Sequence, residues 1–222
     1  MKFLLKIILT LFFFNSGTNL YAQLTIVTSS QYDSIVNKFP NLQLVSLKSD
    51  FIQQDIKYAT SNNFTHEIVY DTAALFLALD AHKAILKVVE FLKPYHVGLI
   101  FYDAYRPYRY TIKFWEIIHD ERYVADPQKG SRHNRGCAVD VGLFNLKTGV
   151  PLDMPTAYDD FSEKASVSSK DRTKLQTKNV ELLQKAMTSC GFQLFATEWW
   201  HFDYEGWQKY PIYDISFQYL SQ

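Results

Sequence analysis

The chain has 222 residues, 47% hydrophobic and 16% aromatic, enough to bury one substantial core in a single domain. Its 23 basic and 23 acidic residues cancel, so there is no electrostatic footprint for nucleic acid. No internal repeat, low-complexity segment or charge block divides it.

Residues 1–22 read as a secretory signal peptide. Lys2 and Lys6 precede the apolar run Ile7 to Phe14, and small and polar residues then lead to Leu20-Tyr21-Ala22. Cleavage there starts the mature chain near Gln23 and removes two lysines, leaving 21 basic against 23 acidic residues. The apolar run is short for a membrane span and no lipobox cysteine follows it. The expectation is therefore a periplasmic or secreted protein without stable membrane insertion, with residues 23–222 forming one domain.

Along that domain, Ser30 to Lys38 has helical character and Leu42 to Leu47 alternates like a strand. Apolar residues at helical spacing predict a helix from Thr72 to Leu92, ending before Pro94, and Val97 to Phe101 reads as a buried strand. Tyr108 to His119 predicts a second long helix and Asn179 to Ser189 a third, stopped by Gly191. Between them, Lys164 to Lys178 is polar and reads as exposed. The aromatic stretch Trp207 to Tyr219 is expected to cover the core. This order implies an α+β fold: a small, mainly antiparallel sheet with helices packed against it.

Chemistry concentrates in two segments, Ser131-Arg132-His133-Asn134-Arg135-Gly136-Cys137-Ala138-Val139-Asp140 and Glu198-Trp199-Trp200-His201. They supply two imidazoles, a carboxylate for a metal and a second carboxylate beside it, the inventory of a catalytic zinc site with one open position. His133 and Asp140 would face opposite sides of a straight strand, but the turn signal Asn134-Arg135-Gly136 lets both aim at one point. Cys137 to Val141 suits a buried strand that holds Asp140 rigidly. Glu198 and His201 share a face only in a helical turn or a distorted strand, and the aromatic run Phe192 to Tyr204 favours the strand. His66, His82, His96 and His119 carry no such pattern and stay unassigned. Cys137 and Cys190 could pair in an oxidising compartment, but two buried free thiols are the expectation.

The patterns Ser131-x-His133-x-x-Gly136-x-Ala138-x-Asp140 and Glu198-x-Trp200-His201 resemble the two signature motifs of the zinc D-Ala-D-Ala dipeptidases, the vancomycin-resistance dipeptidase type of the D,D-peptidase metallofamily. The resemblance extends to the stretch from Asp55 to Thr65 and to Asp103-Ala104-Tyr105-Arg106-Pro107, and the double Trp looks more like the dipeptidase branch than the carboxypeptidase branch. It implies one Zn2+ per chain on His133, Asp140 and His201, Glu198 as general base and acid, and Arg106 stabilising the oxyanion. It also implies that Asp159 meets the ammonium of a small D-amino-acid dipeptide, with Ser131 nearby. From the residues alone, Asp160 is as good a partner as Asp159. An exported D,D-carboxypeptidase or peptidoglycan endopeptidase with the same zinc site is the alternative. A non-catalytic zinc-binding module is a third reading, opposed by Glu198 and Arg106, which merely holding a metal does not require.

Overall fold

A computed structural model describes residues 24–222, and the signal peptide expected over residues 1–22 lies outside them. In chain order the elements are β1 (Ile26–Thr28), α1 (Ser29–Lys38), β2 (Leu44–Ser46), β3 (Ile52–Gln54), β4 (Phe76–Ala78), α2 (Leu79–Leu92), β5 (Val97–Asp103) and α3 (Tyr108–Ile118). There follow β6 (Ala138–Asn145), α4 (Lys174–Thr188), β7 (Phe192–Phe195), β8 (Glu198–Tyr204), β9 (Ile212–Asp214) and α5 (Phe217–Leu220). The central sheet has the order β3-β5-β6-β8-β7. Only its β3–β5 edge is parallel, so the expected α+β architecture with a mainly antiparallel sheet is what the chain adopts.

The two middle strands carry almost continuous apolar runs and are buried along nearly their whole length. Helix α2 turns Ala81, Ala84, Ile85, Val88, Val89 and Leu92 inward, the three-and-four spacing of one helical face, and packs on β4, β5 and α4. Each large apolar side chain removed from water there contributes about 1.5–3 kcal/mol. Helix α4 buries Val180, Leu183, Ala186 and Met187 against β6 and β7. The C-terminal segment closes the other flank: β9 pairs with β1, and Tyr210, Tyr213 and Phe217 are buried.

Three expectations need correction. The helix predicted from Thr72 starts at Leu79, because Phe76–Ala78 pairs antiparallel with β2 and is buried on both faces, so an unbroken apolar run serves a strand before the helix begins. The helix predicted from Asn179 starts five residues earlier, at Lys174, where Thr173 and Gln176 form a reciprocal capping box. That signal was present in the polar segment read as simply exposed. Cys137 and Cys190 are both free thiols, but only Cys137 is fully buried.

One row of the sheet positions the site. Asp103 on β5 pairs with Asp140 on β6, which pairs with His201 on β8, and cross-strand partners present their side chains to the same face. Between β7 and β8 the register jumps, from Leu194↔Phe202 to Phe195↔Glu198. This is the distorted strand the Glu198/His201 spacing called for. It leaves Glu198 Oε2 3.9 Å from His201 Nδ1.

Candidate active site

His133 enters from a single 3-10 turn, His133–Arg135, closed by Gly136 at φ +64. A side chain at Gly136 would collide with the Ala78 backbone nitrogen and Leu44 as well as strain the backbone, so the turn that aims His133 at Asp140 requires glycine. The imidazole Nδ1–H donates to the Ala104 carbonyl at 2.7 Å, which leaves Nε2 bare and pointing inward. The other imidazole is fixed in the opposite sense: His201 Nε2–H donates to Asp203 at 3.1 Å, which turns Nδ1 towards Asp140. Asp203 in turn accepts from Arg132 at 2.9 Å, and the Arg132 guanidinium lies 5.0 Å over the Trp207 ring.

These two inward nitrogens lie 3.3 Å apart, and Asp140 Oδ1 is 3.5 Å from His133 Nε2 and 3.0 Å from His201 Nδ1. Three such atoms converging need a positive charge among them, which in the metal-free chain is the proton that His201 Nδ1 donates to Asp140 and which a metal ion can replace. Tetrahedral zinc bonds of about 2.0–2.1 Å hold ligand atoms about 3.3 Å from one another, so the separations fit such an ion. His133, Asp140 and His201 are the group among the described residues able to hold a metal. Although burial disfavours charge on His201, its hydrogen bonds to Asp140 and Asp203 raise its pKa well above the ordinary imidazole value. Burial likewise opposes ionisation of Asp140, and the adjacent imidazoles overcome it, holding its carboxyl far below the usual range.

Glu198 sits beside this cluster with its pKa pushed up to about 7, chiefly by burial, against the opposing pull of His201. Arg106 is 7% exposed and stacks over Phe114 at 4.7 Å and Tyr58 at 5.4 Å. Its Nε and Nη2 donate to Asp103 Oδ2 at 3.1 and 2.7 Å, and Nε also lies 3.2 Å from the Tyr70 hydroxyl. Asp103 accepts further from Tyr70 and from the Ala104 backbone. Arg106 Nη1 donates to no protein group among the described residues.

All seven residues singled out from the sequence, namely Arg106, Ser131, His133, Asp140, Asp159, Glu198 and His201, line one cavity of about 360 Å³. That volume suits a small ligand. Asp159 reaches it from a loop, in the left-handed conformation at φ 60. Its Oδ1 accepts from Tyr58 at 3.1 Å, while Oδ2 is shut off from solvent with no hydrogen-bond partner. Burial first, and then the charge of Asp140, raise its pKa well above the carboxylate range, against the hydrogen bond from Tyr58. Asp160 instead accepts from the Ser162 backbone and lies outside this cavity. Ser131 Oγ accepts from the His133 backbone at 3.2 Å, which frees its proton for the cleft. The supporting groups Asp203, Asp103, Tyr70, Tyr58 and Tyr158 were not singled out from the sequence. Asp203, two residues beyond His201 on the same strand, was the one within reach, since alternate strand residues share a face.

The family model described as D-ala-D-ala dipeptidase (Peptidase_M15) matches residues 40–219. The chain is 33% identical over 172 residues to the D-alanyl-D-alanine dipeptidase of Escherichia coli (strain K12), covering 77% of this chain and 89% of that one. It is 27% identical over 171 residues to the D-alanyl-D-alanine dipeptidase of Enterococcus faecium, covering 68% and 85%. Among solved structures, a variant of the vancomycin-resistance D,D-pentapeptidase VanY in complex with Zn(II) aligns with a TM-score of 0.38 at 14% identity, over 63% of this chain and 78% of that one, too distant a likeness to bear on the argument. The chain belongs to the D-Ala-D-Ala dipeptidase family, and it is an enzyme of the metallopeptidase class.

Proposed function

We propose that this chain is a zinc-dependent dipeptidase that cleaves D-Ala-D-Ala, with His133, Asp140 and His201 holding one zinc ion. The ion, when bound, would lower the pKa of a water towards neutrality and polarise the substrate carbonyl. Glu198 accepts the proton of the attacking water as the new C–O bond forms, then returns it to the leaving amine as the C–N bond breaks. A carboxyl poised near neutrality by burial suits both halves of that transfer, and a cation in the adjacent triad favours the ionised form that must act first. Arg106, locked against Asp103, presents its remaining donor edge to the developing oxyanion, where a preorganised charge costs no reorganisation.

The observation that carries the dipeptidase reading is Asp159 Oδ2, a buried carboxyl oxygen without a partner, on a residue that lines the same cavity as the triad. A free substrate ammonium supplies both the counter-charge and the missing donor. Ser131 offers a hydroxyl to the same small molecule. The exchange Glu198→Gln tests the chemistry: zinc content stays at about one per chain while turnover collapses. A variant that turns over normally removes Glu198 from the mechanism.

One feature favours the alternative, a D,D-carboxypeptidase or endopeptidase. A wider groove of about 960 Å³ continues from Glu198 past Tyr123, Phe161 and Phe195, room that a dipeptide does not need. The leader-like residues Lys2, Lys6 and Ile7 to Phe14 support export. Outside the cytoplasm the enzyme meets peptidoglycan fragments, so turnover or nutrient recovery is its proposed physiological role. Among the described residues no helix is long and apolar enough to cross a membrane.

A further inference from the structure

Tyr158 lies behind Asp140, without a role in the chemistry above. Its hydroxyl donates to Asp140 Oδ2 at 2.8 Å and stands 3.0 Å from the Tyr58 hydroxyl, which is itself 3.1 Å from Asp159 Oδ1. Four side chains thus form one continuous file of oxygens, from the carboxylate that faces the imidazoles to the carboxylate with the orphaned oxygen. The ring is fixed independently of its hydroxyl: it stacks on Tyr102 at 4.9 Å and meets Trp200 at 5.5 Å and Tyr58 at 6.1 Å.

Counting protons shows what the file lacks. Once Asp159 is ionised, as pairing with an ammonium requires, three oxygen–oxygen contacts share two hydroxyl protons. Asp140 can only accept, so the Tyr158 proton goes there. The Tyr58 proton must then serve either Tyr158 or Asp159, and whenever it serves Tyr158, Asp159 is left with no donor on either oxygen. An ammonium at Asp159 Oδ2 relieves that competition and frees Tyr58 to donate to Tyr158, which strengthens the hydrogen bond Tyr158 gives to Asp140.

We propose that Tyr158 is a positioning residue of the reaction: its hydroxyl holds Asp140 Oδ2 so that Oδ1 alone faces the imidazoles, and through Tyr58 it ties that carboxylate to the one that receives the substrate ammonium. The inference rests on the Asp159 reading only for its second half. Groups that hold a ligand carboxylate from behind typically govern metal affinity or activity by about 10- to 100-fold.

The test uses the purified full chain and the variants Tyr158→Phe, Tyr58→Phe and Asp159→Asn. Three quantities are read: zinc affinity by competition with a chelator, kcat and KM for D-Ala-D-Ala, and the preference for the free over the acetylated dipeptide. Tyr158→Phe keeps the packed ring, so its thermal midpoint should stay close to wild type while zinc affinity falls by about tenfold or more and kcat falls with little change in KM. Tyr58→Phe should leave zinc affinity unchanged, raise KM and narrow the preference for the free amine. Wild-type zinc affinity and kcat in Tyr158→Phe, or a rise in KM alone, would overturn the proposal. An unchanged preference in Asp159→Asn sinks the ammonium reading instead, and the zinc affinity of Tyr158→Phe then still decides whether Tyr158 clamps Asp140.

Discussion

Around the triad, each ligand's outward atom is tied to protein: His133 Nδ1 to Ala104, Asp140 Oδ2 to Tyr158, His201 Nε2 to Asp203. At the two residues proposed to meet the substrate the arrangement is reversed, for Asp159 Oδ2 has no partner and Arg106 is braced on one edge only. The contrast fits what each group is proposed to receive. A metal needs donors whose direction is settled before it arrives, whereas a charged substrate binds selectively where the protein has left a carboxyl unmatched. The first group commits its hydrogen bonds to rigidity, and the second withholds them.

The sharpest way to break the comparison is to remove a ligand. His201→Ala should lower zinc affinity by at least about a thousandfold, because one of three protein ligands is lost. Undiminished zinc in the purified variant would take His201 out of the site. Next in size is Glu198→Gln, which should keep its zinc and lose at least about a hundredfold in turnover. Arg106→Ala should cost about 100- to 1,000-fold in kcat, and it should also lower the thermal midpoint, since Asp103 is then buried beside an empty place. A rate loss without a stability loss would show that the Asp103 pair does not hold the arginine in place. Asp203→Asn, which removes only the carboxylate behind His201, should weaken zinc binding by about tenfold.

A further effect is one of pH. Glu198 titrates near 7 in the folded chain against an ordinary 4.5, so it binds its proton more tightly folded than unfolded. Its contribution to stability is therefore fully present below about pH 4.5 and lost as pH rises through about 7. In zinc-free protein, Glu198→Gln should be the more stable form at pH 8, by up to about 3 kcal/mol. The two should converge below pH 4.5. Parallel stability curves for variant and wild type from pH 4 to 8 would show that burial does not perturb this carboxyl.

Much of this site was legible because two short segments carry it. The turn residues Asn134-Arg135-Gly136 and the three-residue gap between Glu198 and His201 each demanded a specific backbone irregularity, and both irregularities are present. The brackets behind the ligands were harder to see. Tyr158 and Tyr58 are 100 residues apart in the chain, and Arg106 meets Tyr58 only after the segment following β3 folds against it. Nothing local in a tyrosine distinguishes a clamp from core packing. The choice between Asp159 and Asp160 turned on loop conformation, since a left-handed residue aims the first into the cleft. Helix boundaries failed where apolar runs serve two elements in succession, as at Phe76 to Leu79.

On the proposed reading, the unmatched carboxyl of Asp159 selects a free amino terminus beside the triad. The decisive measurement is kcat/KM for D-Ala-D-Ala and for its acetylated form, side by side on zinc-loaded enzyme. Breaking a buried, hydrogen-bonded charge pair costs about 2 to 5 kcal/mol, so the free dipeptide should be preferred by a factor of about 30 to several thousand, with much of that preference lost in Asp159→Asn. Equal values for the two dipeptides, or faster cleavage of a stem pentapeptide, would contradict the account and move the enzyme to the carboxypeptidase reading.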